Sequence, residues 1–218
     1  MRMRKVKWAV DYLKTGNKVA AQPESMKGSW KSVLNCEKLH VEIGCGKGNY
    51  SLSMAKMYPD EGFIAIEKNE SAAGIAAKKF DEFSELNNLI LIHGDAAVIQ
   101  EWFEKGEVDV IHLNFSDPWP KKRNAKRRLS SSSFLKQYIT ILSKDGQIQM
   151  KTDNKDLFEY SVIEFQNAGF MMLEISVDYR RNEHNEDAVT EYEEKFIAQN
   201  MPIYRCVWKY KGIEEETV

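Results

Sequence analysis

The sequence is poor in the residues that build metal or disulfide frameworks. Its three cysteines, Cys36, Cys45 and Cys206, are odd in number and far apart, and no Cys-x-x-Cys pair occurs. That spacing excludes a disulfide scaffold and the common zinc sites. The four histidines, His40, His93, His112 and His184, do not cluster either, so no metal is expected. No stretch reaches the 18 apolar residues of a membrane span. The start MRMRKVKWAVDYL is charged like a secretory leader, but Asp11 breaks its apolar run and no small-residue cleavage site follows. The chain is therefore read as a reduced, cytoplasmic protein. It also lacks a net charge of one sign: 31 Lys and Arg face 33 Asp and Glu, a balance of −2. Any attraction for a polyanion must then come from a local patch.

What is present is a regular rhythm. At 218 residues, 43% of them hydrophobic, the chain has the size and core of a single domain spanning 1–218. Residues 1–32 form a basic N-terminal arm and lead-in, and residues 212–218 an acidic, frayed tail. Between them, β-rich apolar runs at 39–44, 62–69, 89–96, 108–117, 146–153, 171–179 and 203–210 are separated by helical spacing at 49–58, 70–86, 97–106, 130–142 and 156–170. A shorter helix is expected after Thr190. This alternation predicts an α/β fold: a doubly wound, mostly parallel, seven-stranded sheet with helices on both faces. Such sheets bind ligands beyond the carboxyl ends of their strands, so the loops at 44–48, 67–68, 95–96, 114–128 and 152–154 are where chemistry is expected.

The first of these loops, in VEIGCGKGNY, carries Gly44, Gly46 and Gly48. The spacing is G-x-G-x-G rather than the G-x-G-x-x-G of dinucleotide folds. Glu42 lies two residues before it. A carboxylate there repels a pyrophosphate and favours a ligand that carries positive charge, such as the ammonium and sulfonium of S-adenosylmethionine. Glu67 ends the second strand, where an acid accepts hydrogen bonds from ribose hydroxyls. Asp95 follows the third strand and is placed to accept from an adenine amino group or its neighbourhood. Each acid taken singly could be a helix cap; three at successive strand ends make a nucleoside-plus-amino-acid pocket.

The fourth loop reads NFSDPWPKKRNAKRR. Pro118 and Pro120 restrict Asp117 and Trp119 between them, which preorganises an acid for positioning a substrate. Asp117 could accept from guanine N1–H and N2–H₂ together, or face the cofactor. Trp119 could stack on a flipped base or pack the loop. Beyond it, six of the eight residues 121–128 are cations with no interleaved acid, a pattern suited to phosphates rather than to a merely solvated face. Farther on, Thr190-Glu191-Tyr192-Glu193 spells a capping box, which could also present an acid to a ligand, and Asp153 could cap the helix from 156.

Taken in order, EIGCGKG, Glu67, GDA at 94–96, NFSDPWPKKR, KTDN at 151–154 and TEYE at 190–193 resemble the bacterial tRNA (guanine-N7-)-methyltransferase family over nearly the whole chain. The glycine loop alone is common to class I, Rossmann-like methyltransferases; SDPWPKKR together with TEYE is far more specific. The resemblance implies S-adenosylmethionine as cofactor, and as substrate the guanosine at position 46 in the tRNA variable loop. It implies that Glu42, Glu67, Asp95 and Asp117, with the glycine loop, line the cofactor site, and that Asp117 is also the catalytic acid. Lys121, Asp153 and Thr190, Glu191, Tyr192 and Glu193 would contact the target nucleoside. Arg123, Asn124, Ala125, Lys126, Arg127 and Arg128 would contact the RNA backbone. A homodimer is also implied. An amino-group methyltransferase is the nearest rival, since DPWP approaches the D-P-P-Y type of motif, but Trp stands where that motif has its second Pro.

Overall fold

The computed structural model describes residues 5–211. The acidic tail and the first four residues of the basic arm lie outside them. Seven strands form one sheet in the order β3-β2-β1-β4-β5-β7-β6. They are β1 (Leu39–Ile43), β2 (Gly62–Glu67), β3 (Leu89–His93), β4 (Val108–Asn114), β5 (Leu142–Thr152), β6 (Phe170–Ser176) and β7 (Tyr204–Tyr210). The first five run parallel, and β7 is antiparallel to both neighbours. All of β1 and five of the six residues of β2 are buried, which accounts for their unbroken apolar runs: a parallel strand is covered on both faces.

The helices are α1 (Lys7–Tyr12), α2 (Trp30–Val33), α3 (Asn49–Met57), α4 (Glu70–Asp81), α5 (Ile99–Trp102), α6 (Ser132–Ile141), α7 (Lys155–Asn167) and α8 (Glu191–Ile197). Two differ from the sequence expectation. The helix expected over 97–106 shrinks to α5 after a 3-10 turn at Ala96–Val98, and Phe103 leaves it in extended conformation. Trp102 and Phe103 are both buried. A helix would splay these neighbours by about 100°, so the chain abandons it to bury both. The lead-in, read as a basic arm, contains α1, which lies on α4. Gly74 permits the contact, because a Cβ there would meet the Ala9 carbonyl oxygen at 1.9 Å. The Val6 N–H donates to Ser71 Oγ at 2.8 Å and the Tyr12 hydroxyl to Asp81 at 2.8 Å, so described residues of the lead-in are fixed to the domain.

Strand order reverses between β1 and β4. Beyond the carboxyl ends of these strands the chain leaves a cleft of about 950 Å³. Among the described residues, no helix is long and apolar enough to cross a membrane.

Candidate active site

The glycine loop forms the floor of the cleft. Gly44, Gly46 and Gly48 have φ of 81°, 59° and 75°, a region that only glycine enters cheaply. A Cβ on Gly44 or Gly46 would meet nothing within 4 Å, so both backbones face open cleft. Gly48 differs: a Cβ there would lie 2.6 Å from the Phe80 ring, and the glycine starts α3 with α4 close behind it. Glu67 ties the loop to β2. Its carboxylate accepts the Gly46 N–H at 2.9 Å and the Asn69 N–H at 2.7 Å. Burial raises the Glu67 carboxyl above its ordinary range, these amide bonds work against that, and the nearby charge of Asp117 adds to the rise.

Glu42 is buried under the same floor, held by the Ser51 hydroxyl and by Asn114 Nδ2 at 3.1 Å. Burial raises it too, with both hydrogen bonds opposing. Asp95 sits higher. It caps the 3-10 turn through the Ala97 N–H at 3.1 Å and pairs with Lys68 at 2.6 Å. Partial burial works to raise its carboxyl, but Lys68 and the amide outweigh it and the net direction is down. Glu42, Glu67 and Asp117 line one space, and two of them are raised by burial. A cation bound there would relieve both burial and repulsion. Together with the open glycine backbones, the donor set fits a ligand bearing an ammonium and a sulfonium, and fits a phosphate poorly.

The fourth loop forms one wall. Phe115 (φ 50°) and Trp119 (φ 42°) both occupy the left-handed region, a cost that non-glycine residues carry where surrounding contacts hold them. Those contacts are visible. The Phe115 N–H donates to the Lys151 carbonyl at 2.8 Å. Arg128 donates from Nε to the Pro118 carbonyl at 2.9 Å and from a terminal nitrogen to that of Trp119 at 3.2 Å. The Arg127 guanidinium lies 4.9 Å from the Trp119 ring centroid. Asp117 is exposed at the tip and lines the cleft. The cations continue from there as a 3-10 helix over Lys122–Arg127. Lys121, Lys122, Arg123, Lys126 and Arg127 are exposed, Asn124 and Ala125 half-buried. Arg128 is the exception among the six cations, turned inward under the loop, with its guanidinium 4.2 Å from the Tyr160 ring centroid.

The opposite wall is the start of α8. Thr190 and Glu193 form the capping box: Thr190 Oγ1 accepts the Glu193 N–H at 3.0 Å, and Glu193 accepts the Thr190 N–H at 2.8 Å. Thr190, Glu191 and Tyr192 line the cleft. Glu191 reaches the glycine loop, bonding Asn49 and pairing with Lys47 at 3.3 Å. Tyr192 stacks on Phe115 at 6.0 Å between centroids, and Phe196 flanks the same ring at 6.1 Å. Glu193 does not reach the cleft. It is wholly buried and faces Lys151 and Arg180. Asp153 is half-buried and lies outside the cleft lining; the cap of α7 is Asn154, whose side chain accepts the Leu157 N–H at 2.8 Å.

The sequence reading passed over a buried polar chain behind this wall. Lys151, at the end of β5, is 1% exposed and pairs with Asp187 at 2.7 Å and Glu193 at 2.9 Å. Arg180 pairs with the same two carboxylates, each at 2.8 Å. Asp187, so held, can only accept, and Tyr50 donates its hydroxyl to it at 2.8 Å. Tyr50 Oη also lies 3.1 Å from His112 Nδ1, and His112 Nε2 lies 2.9 Å from His40 Nδ1. At the far end, His40 Nε2 lies 2.7 Å from Glu61, whose carboxyl is lowered to about 2, chiefly by that hydrogen bond. A lysine inside the apolar run of β5 and a histidine inside that of β4 were the available signals.

A family model described as "Putative methyltransferase" matches residues 36–206. The tRNA (guanine-N(7)-)-methyltransferase of Bacillus subtilis (strain 168) is 44% identical over 208 residues, covering 94% of this chain and 97% of its own. That of Exiguobacterium sp. is 46% identical over 207 residues, covering 94% and 96%. Among solved structures, an antibiotic-related methyltransferase aligns with a TM-score of 0.61 at 17% identity, over 81% of this chain and 90% of its own. A SAM-dependent methyltransferase from Aquifex aeolicus aligns with a TM-score of 0.57 at 12% identity, over 94% and 100%; both speak for the fold. With the glycine loop, the acid-bearing proline loop and the capping box ranged around one cleft, and with relatives this similar over nearly its full length, the chain belongs to the tRNA (guanine-N7-)-methyltransferase family.

Proposed function

We propose that this protein transfers a methyl group from S-adenosylmethionine to N7 of the guanosine at position 46 in the variable loop of tRNA, in the cytoplasm. One observation carries the reading: a single cleft is lined by acids suited to a cationic nucleoside ligand, Glu42 buried, Glu67 half-buried and Asp117 exposed, and, at its rim, by the cations Lys126 and Arg127. S-adenosylmethionine, when bound, supplies a methyl group activated by its positive sulfur, which guanine N7 accepts on its in-plane lone pair as S-adenosylhomocysteine departs. N7 bears no proton, so the protein needs no general base.

Its residues do three other things. Glu67 and the glycine loop hold the nucleoside part of the cofactor. Its ribose hydroxyls can donate to Glu67, since a carboxylate has about four acceptor sites and the amides of Gly46 and Asn69 use two. Glu42 and Asp117 bring negative charge to the space in which the purine becomes positive, and charges fixed in advance stabilise what develops during transfer. The exposed cations from Lys122 to Arg127 hold the RNA backbone, while the segment from Thr190 to Tyr192 addresses the target nucleoside from the cleft wall, with Lys121 and Asp153 reaching it from beyond the lining. Incubating unmodified tRNA with the protein and labelled S-adenosylmethionine, then digesting to nucleosides, tests the reading: label should appear in 7-methylguanosine. A second expectation, the homodimer, is tested by sedimentation of the purified protein.

A further inference from the structure

The chain between β6 and β7 makes a long excursion that carries one wall of the cleft, yet it has little apolar anchorage. Among residues 178–202 the buried ones are Tyr179, Asp187, Ala188, Thr190 and Glu193. Three of those five are polar. The excursion docks through charge: Lys151 and Arg180 face Asp187 and Glu193, and each cation also donates to the Ala188 carbonyl at 3.2 Å. Two positive and two negative groups balance in a space closed to water. Burying such a cluster adds little stability beyond what well-packed apolar residues would give. What it adds is a fixed geometry, because each of the four charges is held by both of the opposite ones.

Lys151 holds a special place within it. Its carbonyl takes the Phe115 N–H at 2.8 Å, at the start of the loop that bears Asp117. Its ammonium grips Asp187 and Glu193, on either side of Thr190, Glu191 and Tyr192. One residue at the end of a central strand thus joins the two walls. The stack of Tyr192 on Phe115 closes the same bridge at the surface.

We propose that Lys151 is a positioning residue for methyl transfer, holding the Thr190–Tyr192 wall in register with the Asp117 loop through its ion pairs with Asp187 and Glu193. Lys151 touches neither substrate nor cofactor in this role. It sets where Tyr192 and Glu191 stand when tRNA enters. The inference rests on the function proposed above, and release of 7-methylguanosine by the unaltered protein tests that reading separately.

The test compares unaltered protein, Lys151→Met, Tyr192→Ala and the double variant at a temperature where circular dichroism shows each to be folded. Lys151→Met should raise KM for tRNA about tenfold or more, since displaced positioning groups cost on that order. Binding of S-adenosylhomocysteine, the probe for the cofactor floor, should change by less than about threefold, because Glu67 is held by the Gly46 and Asn69 amides rather than by the cluster, and Glu191 reaches the loop only through the side chains of Lys47 and Asn49. In the double variant the two effects should not multiply: with Tyr192 gone, removing the ammonium should cost little more. Should Lys151→Met not fold, Lys151→Met with Glu193→Gln keeps one cation and one anion and is read in the same way. A KM for tRNA within about twofold of the unaltered protein, effects that multiply fully, or a parallel loss of S-adenosylhomocysteine binding would each overturn the proposal.

Discussion

Arg128 donates from Nε to the carbonyl of Pro118 at 2.9 Å, beneath the loop whose tip is Asp117. The last cation of the basic run thus braces the loop from inside while its neighbours face solvent. Arg128→Ala should therefore differ in kind from Arg123→Ala. Arg128→Ala should lower the single-turnover rate, by on the order of tenfold to a hundredfold for a displaced loop, and leave the salt dependence of tRNA binding unchanged. Arg123→Ala should leave the saturated rate alone and flatten the slope of log affinity against log salt by roughly 0.7–0.9. Filter binding over a salt series with both variants checks this. A flattened slope for Arg128→Ala would return that residue to the RNA face.

Asp117 lines the cleft from an exposed position on a braced loop. Asp117→Ala should lower the rate of methyl transfer by a hundredfold or more, of the order expected for loss of a preorganised electrostatic group, with thermal stability nearly unchanged. Turnover close to that of the unaltered protein would place the electrostatic role elsewhere, Glu42 being the next candidate.

Glu67 holds the glycine loop and faces the cofactor space. Glu67→Ala should weaken S-adenosylmethionine binding by about 1.5–3 kcal/mol, the cost of losing a charged acceptor. Affinity for tRNA should barely move. Calorimetric titration with the cofactor, and separately with tRNA, distinguishes this from a general loosening of the domain.

Burial holds His112 well below the ordinary imidazole range. Above about pH 6.5 folded and unfolded chains both carry it neutral. Below that the unfolded chain takes up a proton that the folded chain refuses, so stability falls with acidity, by up to about 1.4 kcal/mol per pH unit for one proton. Glu61 acts with the same sign at lower pH: its carboxyl, lowered to about 2, makes a contribution that is lost as pH falls below about 4.5. Urea unfolding from pH 7.5 to 5.0 should show the first decline, and His112→Phe should flatten it by about one proton while lowering stability at pH 7.5. Identical slopes would mean that His112 is not the group that titrates.

The strands were legible because hydrophobic periodicity is local. β1, β2 and β4 read as apolar runs and lie within two or three residues of where the chain places them. The loops that follow them were legible because glycine spacing, prolines and charge runs are local as well. Pairing across the fold was not. Nothing near Lys151 in the sequence announces Asp187 or Glu193, which come 36 and 42 residues later, and the inward turn of Arg128 depends on carbonyls that a basic run does not reveal. The capping box was visible at Thr190, but which side its glutamate faces was set by Lys151 and Arg180. The antiparallel placement of β7 between β5 and β6 likewise follows from sheet pairing, and no residue within IYRCVWKY records it.

Transfer to N7 itself is decided by one comparison. Two tRNAs are prepared, identical except for guanine or 7-deazaguanine at position 46, and single-turnover methylation is followed at saturating protein and cofactor from mildly acidic to neutral pH. The guanine substrate should be methylated at a rate nearly flat across that range, since N7 has no proton to lose, and the 7-deaza substrate, which lacks the lone pair, should gain no methyl group. Methylation of the 7-deaza substrate at a comparable rate would contradict N7 as the acceptor. A steep acidic limb with the guanine substrate would contradict direct attack and favour methylation of an exocyclic amino group.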